Sequence, residues 1–245
     1  MGLLDFFGGG TPADKAQKLK AKASQKYGDA ATRQKALQQL IDLKHVDAVP
    51  VLMSRFTFAV DPQTTDAEEK QHVFEAICGL EKDAVPPVQS FLTKNDSASS
   101  WALKILNEVM EPAEVIGVVT DELMRLGANY TRDPEKKEVL LHFLDGKQDE
   151  RVGPVLVPFL HDMSDDVKIA ALRTLSTTKF EPAREAVLTL LTTDETAKRV
   201  QTACINTLVE TGFSVQGFRE KVEAKLTADK SLFVDKSGAV KKRGS

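Results

Sequence analysis

Six stretches of the chain carry an adjacent apolar pair followed three residues later by another apolar side chain. They are Ala36-Leu37 with Leu40, Val73-Phe74 with Ile77, Ala102-Leu103 with Leu106, Val139-Leu140 with Phe143, Ala171-Leu172 with Leu175, and Cys204-Ile205 with Leu208. Such spacing lays an apolar stripe along one face of a helix. The stretches follow one another at intervals of 29 to 37 residues. Between them the chain repeats itself: Asp47-Ala48-Val49-Pro50 returns 36 residues later as Asp83-Ala84-Val85-Pro86, and Glu111-Pro112-Ala113 returns 70 residues later as Glu181-Pro182-Ala183. A period in the thirties marks stacked supersecondary units, none of which buries its apolar face alone.

Each unit reads as two helices. Asp29, Asp66 and Ser164 stand where a short polar side chain caps the orphan N–H groups of a first helix. Pro50, Pro86, Pro112, Pro154 and Pro182 mark the opening of the second, where the missing N–H costs nothing. Asp47 and Asp83 are the expected caps ahead of the first two of these. The second helices carry stripes of their own: Val49, Leu52, Met53 and Phe56; Val152, Val155, Leu156 and Phe159; Ala183, Ala186, Val187 and Leu190. No run alternates convincingly in the manner of a strand, so the expected class is all-α.

The run from Leu160 to Leu175, with Asp162, Asp165-Asp166-Val167-Lys168, Ala171-Leu172 and Leu175, resembles the HEAT-repeat consensus. Leu191 through Leu208 is a weaker copy with Asp194, Arg199-Val200, Ala203 and Leu208, and the third unit has Ser97-Ala98-Ser99-Ser100 in place of the acidic entry. The resemblance to the short bacterial HEAT-like repeats (the PBS-lyase type) covers residues 27–228 and implies a right-handed α-solenoid of about six helix pairs. Armadillo and TPR arrays are the structural alternatives, but the Trp-Leu-Gly-Tyr pattern and strict period of a TPR are absent.

Composition narrows the classes. The 245 residues are 42% apolar and 28% charged, with 33 Lys and Arg against 36 Asp and Glu, a formal charge of −3. That excludes wholesale disorder and disfavours a basic nucleic-acid binder. The charge is unevenly placed. Residues 14–35 hold seven basic residues (Lys15, Lys18, Lys20, Lys22, Lys26, Arg33 and Lys35) against Asp14 and Asp29, a local charge of +5. We expect residues 13–26 to form a basic capping helix with Ala16, Leu19, Ala23 and Tyr27 facing inward. Residues 1–12, with Leu3, Leu4, Phe6 and Phe7 before Gly8-Gly9-Gly10, read as a flexible apolar and glycine-rich terminus, and residues 229–245 as a mobile polar tail in which Leu232-Phe233-Val234 can dock back. Neither a secretory leader nor an apolar run of spanning length is legible, so the expected location is cytoplasmic. Cys78 and Cys204 sit in apolar helical surroundings and read as buried free thiols.

The search for chemistry returns little. Glu69-Lys70-Gln71-His72 is an E-x-x-H, but a di-iron bundle needs two such motifs and further carboxylates. The resemblance brings three enzyme classes into view. Di-iron hydroxylases built from HEAT-like repeats use His-Glu dipeptides, whereas His45, His72, His142 and His161 are followed by Val46, Val73, Phe143 and Asp162. Alkylpurine DNA glycosylases need a basic, aromatic-lined groove, and Trp101 is the only tryptophan, read as core. Nothing marks the chromophore pocket of a phycobilin lyase. The expectation is a chain that is not an enzyme, with no catalytic residue, metal or cofactor. Its function would be that of a scaffold or adaptor for a protein partner held on the concave face, without nucleic acid. Candidate contacts are long polar side chains of the second helices: Arg55, Gln89, Arg125, Arg184 and Arg219. Two alternatives remain: a DNA-repair glycosylase, and a membrane-recruited scaffold in which Leu3, Leu4, Phe6 and Phe7 act with the lysine run.

Overall fold

A computed structural model describes residues 10–227 and 229–243. Its helices are α1 Pro12–Ala23, α2 Ala30–Asp42, α3 Val49–Met53, α4 Gln63–Cys78, α5 Val85–Lys94, α6 Ser99–Val109, α7 Pro112–Leu126, α8 Glu135–Phe143, α9 Val152–Leu156, α10 Asp165–Thr178, α11 Arg184–Thr192, α12 Lys198–Thr211 and α13 Arg219–Leu226. Short 3-10 turns precede α3 (Val46–Ala48), α5 (Glu81–Ala84) and α11 (Glu181–Ala183), and extend α3 (Ser54–Thr57) and α9 (Val157–His161). The class is all-α. Among the described residues the only strands are β1 Leu232–Val234 and β2 Val240–Lys242, an antiparallel hairpin.

The chain divides into two compact units, one ending at Val115 and the other beginning at Ile116. Within the first, α1 lies on α2, α3 and the turn before α3; α2 packs on α4, α4 on α6, and α3 on α5. Within the second, α8 packs on α10 and α10 on α12, while the extension of α9 packs on α11 and α11 on α13. First helices thus stack on first helices and second on second, the single-file arrangement of a helical repeat.

The stripes supply the core. Ala36, Leu37, Leu40, Val73, Ile77, Ala102, Leu103, Leu106, Ala171, Leu172, Leu175, Cys204 and Leu208 are all buried. Leu172 is fully enclosed, so Leu172→Ala is expected to cost about 2–5 kcal/mol in denaturant unfolding. A loss well under about 1 kcal/mol would place the side chain outside the core.

Several expectations are corrected. In α8 and its C-terminal cap the buried stripe is Leu140, Leu141 and Leu144, one position later than Val139, Leu140 and Phe143, because Lys136 and Lys137 take inward positions a turn earlier. In α11 Val187, Leu188 and Leu191 are buried, with Ala186 and Leu190 only half-covered. Asp29 and Ser164 cap α2 and α10 as expected. Asp66 does not cap α4, which begins earlier at Gln63 and leaves Asp66 in the first turn. Asp47 and Asp83 are not caps either: both belong to 3-10 turns, and the cap positions are Ala48 and Ala84. On α1, Ala16 and Ala23 face inward, Leu19 is half-buried, and Tyr27 lies beyond the helix end and is exposed.

Residues 229–243 are not an unstructured tail. The hairpin buries Ala239 and Val240, with β2 against α12 and β1 against α13. Gly212, at φ +72°, ends α12 in the left-handed conformation that glycine adopts without Cβ strain. Leu3, Leu4, Phe6 and Phe7 lie outside the described residues.

Candidate functional site

The polar residues selected from the sequence are mostly engaged inside the protein. Arg55, expected on a binding surface, is fully buried. The turn after α3 points it at α4, where Nε donates to Glu69 Oε2 at 2.7 Å, Nη2 to Asp66 Oδ1 at 2.7 Å, and Nη1 to the Phe58 carbonyl at 3.0 Å. Arg33 of α2 approaches the same carboxylate from the other side, with Nε and Nη2 each 2.9 Å from Glu69, and Gln34 adds a donor at 3.2 Å. Arg55 is therefore corrected from partner contact to core residue. A guanidinium withdrawn from water needs its charge and donors satisfied on the spot, and here they are.

Burial pushes the Glu69 carboxyl up, but the hydrogen bonds from Arg33 and Arg55 outweigh it and hold the group below the ordinary carboxylate range. Glu69 is thus committed to arginine, and its E-x-x-H companion His72 faces Gln38 at 3.1 Å instead.

Gln89 is half-buried on α5. Arg125 is exposed and bidentate to Glu122 at 2.7 and 2.9 Å, and Glu122 also takes Lys136 at 2.7 Å. Arg184 donates to the carbonyls of Ser214 and Gln216 and so pins the loop ahead of α13. Arg219 pairs with Glu223 at 2.8 Å and reaches the Val234 and Asp235 carbonyls at 3.3 Å, tying α13 to the hairpin. Arg55 and Gln89 belong to the first unit and the other three to the second.

Reactive groups are few. Burial pushes the Cys78 thiol up to about 11 and the Cys204 thiol up to about 12, so neither is a thiolate near neutrality. Among the described residues no group of three or more His, Cys, Asp or Glu is placed to hold a metal ion. Trp101 is half-buried and stacked on Phe56 with ring centroids 4.6 Å apart, and Lys104 Nζ lies 4.8 Å from its ring centroid.

What the sequence reading missed is a cleft in the second unit between α7 and α9. It encloses about 490 Å³. The α9 side presents Arg151, Pro154, Val155, Pro158 and Phe159, whose spacing is one continuous helical stripe; the α7 side presents Thr120, Asp121, Leu123, Met124 and Gly127. Leu123, Val155 and Phe159 are buried and form the floor. Pro154 and Pro158 are exposed along one edge, and Met124, 63% exposed, stands on the other. Thr120 lines the cleft and turns its hydroxyl back to the Gly117 carbonyl at 2.9 Å.

The rim charges are unequal. Arg151 is held by Asp149 through contacts of 2.8 and 2.6 Å, and that pairing brings the Asp149 carboxyl down to about 2. Asp121 is exposed, and its carboxylate makes no hydrogen bond or ion pair among the described residues. The cleft therefore has an apolar floor, a methionine edge and an exposed carboxylate, Asp121, whose charge acts on Arg151 without a direct ion pair. The Arg151-x-x-Pro154-Val155-x-x-Pro158-Phe159 spacing was the signal that could have located it.

No protein-family model matches the sequence, and no curated protein matches it. Solved structures similar to it include an engineered protein from the Northeast Structural Genomics Consortium, at 18% identity over 88% of this chain and 90% of that one, with a TM-score of 0.37. The complex of CpcE and CpcF of phycocyanin lyase from Nostoc sp. PCC7120 is similar at 18% identity, 89% and 83% coverage and a TM-score of 0.36. Human deoxyhypusine hydroxylase in complex with glycerol follows at 13% identity, 89% and 92% coverage and a TM-score of 0.32. Two of the three carry enzyme names, a lyase and a hydroxylase, so the exclusion of catalysis drawn from the sequence is corrected and does not stand.

Proposed function

We propose that this chain is a HEAT-like repeat protein that docks a partner protein, and that the α7–α9 cleft receives the partner's anchoring side chains. The observation that carries the reading is the exposed Met124 beside an open, apolar-floored cleft of about 490 Å³. A methionine left in water at the lip of such a cleft costs nothing if a partner covers it, and its flexible thioether moulds to varied apolar surfaces. The fitting ligand is an amphipathic helix offering one or two large apolar side chains at helical spacing, with a Lys or Arg beside them for Asp121. Gln89, Arg125, Arg184 and Arg219 stay in the proposal as outlying contacts. Alanine variants of the three arginines report on internal ties as well as on binding. Residence in the cytoplasm, where unpaired thiols persist, belongs to the same proposal.

Helical peptides selected by display against the full chain provide the test. The bound peptides are expected to lose affinity at least about tenfold, or about 1.4 kcal/mol, on Met124→Glu. Asp121→Lys is expected to weaken them further and to reverse the salt dependence of binding, since screening then relieves a repulsion. Both positions are exposed, so the unfolding transition should not move. Selected peptides that bind Met124→Glu as tightly as the native chain would remove the cleft from the proposal.

A further inference from the structure

The sulfur atoms of the described residues are unequally placed. Cys204 is buried and Cys78 half-buried, and burial keeps both thiols protonated near neutrality. A thiol attacks a peroxide as its thiolate, so neither is a ready target. A thioether has no proton to lose and reacts wherever solvent reaches it. Met53 is fully buried and Met110 half-buried, whereas Met124 is 63% and Met163 73% exposed. Among the described residues the most accessible sulfurs are therefore these two thioethers.

They differ in position. Met124 stands on the α7 side of the cleft with Asp121, Leu123 and Gly127, facing Pro154, Val155, Pro158 and Phe159. Met163 follows the extension of α9 and is not a lining residue. The polar side chains of the cleft are ill suited to an oxygen added at Met124, which would be a hydrogen-bond acceptor. The Thr120 hydroxyl donates to the Gly117 carbonyl, Arg151 is paired with Asp149, and the Asp121 carboxylate is itself only an acceptor.

We propose that Met124 is a peroxide-sensitive modification site and, granting the docking role of the α7–α9 cleft on which this rests, that its oxidation releases the partner. A lone pair of the Met124 sulfur attacks one oxygen of hydrogen peroxide. The S–O bond forms as the O–O bond breaks, and the departing hydroxide takes the proton of the transferred oxygen and leaves as water. Sulfur loses two electrons and the peroxide gains them. The sulfoxide is polar and chiral where the side chain was apolar. An apolar group of the partner that covered the thioether must now bury that oxygen without a donor. Methionine sulfoxide reductases reverse the step and restore the apolar edge. Docking and oxidation also compete for one sulfur, because a seated partner shields Met124 and leaves Met163 in solvent.

The test treats the full chain with hydrogen peroxide, removes the peroxide, and titrates in display-selected helical peptides free of Met and Cys. Peptide mapping by mass spectrometry should find Met124 and Met163 converted and Met53 spared. The treated chain should bind at least about tenfold more weakly, and reductase treatment should restore the affinity. Met124→Leu keeps the volume without an oxidisable sulfur and should bind alike before and after treatment. Met163→Leu should lose affinity as the native chain does. Peptide present during treatment should slow conversion of Met124 but not of Met163. The unfolding midpoint should stay in place, since both side chains are exposed. Unchanged affinity with Met124 fully converted, an equal loss in Met124→Leu, or a Met124 that resists peroxide while Met163 converts would each overturn the proposal. Unchanged affinity after conversion, alongside release of the peptides by Met124→Glu, removes the switch and keeps the docking site. Tight binding to Met124→Glu removes both.

Discussion

Glu69→Ala is expected to lower the unfolding free energy of the first unit by about 3–5 kcal/mol, as breaking a buried ion pair by removing one partner does. The reason is what remains. Arg33 is 2% exposed and Arg55 is fully buried, and both aim their Nε at Glu69. Without the carboxylate, Arg55 keeps Asp66 and the Phe58 carbonyl, whereas Arg33 keeps only the Gln25 carbonyl at 3.2 Å. Two positive charges then share an enclosed space with one partly exposed counter-ion. Glu69→Gln should fall between, restoring an acceptor without the charge.

Trp101 stacks on Phe56, the neighbour of Arg55, and is the only tryptophan, so its fluorescence follows this unit. The pH dependence supplies an independent check. Arginine contacts outweigh burial and hold the Glu69 carboxyl low. Its contribution is therefore complete above the ordinary carboxylate range near pH 4.3 and is lost as pH falls through its depressed folded value. The native chain should lose stability across that acid window, and Glu69→Ala should be flatter there. A loss below about 1 kcal/mol at neutral pH would mean that water reaches the cluster.

The same cluster shows why the fold was more legible than the site. Leu37, Leu172 and their neighbours sit at helical intervals and are apolar, so pattern and burial agree. Arg33, Arg55, Glu69, Lys136, Lys137 and Asp162 break that agreement: charged side chains read as solvent-facing, yet each is buried against a partner from another element. Part of the signal was present. Arg33 and Glu69 are 36 residues apart, the interval that separates the two Asp-Ala-Val-Pro segments, so the bridge joins neighbouring repeats. Lysines at two buried positions moved the α8 stripe by one residue for the same reason. The hairpin escaped because three-residue strands are too short for alternation to show. The cleft escaped because its floor belongs to two helices that no local pattern relates.

Lys137 and Asp162 should behave as one unit, and removing either alone should cost about 3–5 kcal/mol. Lys137 Nζ lies 2.7 Å from Asp162 Oδ2 and 2.5 Å from the Asn129 carbonyl, with both side chains almost wholly enclosed. Asp162 Oδ1 accepts from the Ser164 amide at 2.9 Å, and Ser164 caps α10. The pair thus joins the body of α8 to the entry of the helix stacked on it. Lys137→Met leaves a carboxylate buried with a single amide for company. Asp162→Asn keeps that amide bond through its own oxygen and leaves the ammonium with the Asn129 carbonyl but without its counter-charge. In Lys137→Met/Asp162→Asn neither charge remains and the cap is intact, so the double variant should recover a coupling energy of about 1–3 kcal/mol relative to the summed single losses. Hydrogen exchange of the α8 and α10 amides reads the effect where it occurs. Arg173→Ala is the control: its side chain is 70% exposed in its pair with Asp145, and its loss should stay within about 1 kcal/mol. A coupling near zero would mean that each charge is solvated independently, and the lysine would then have no electrostatic reason to occupy an inward position of α8.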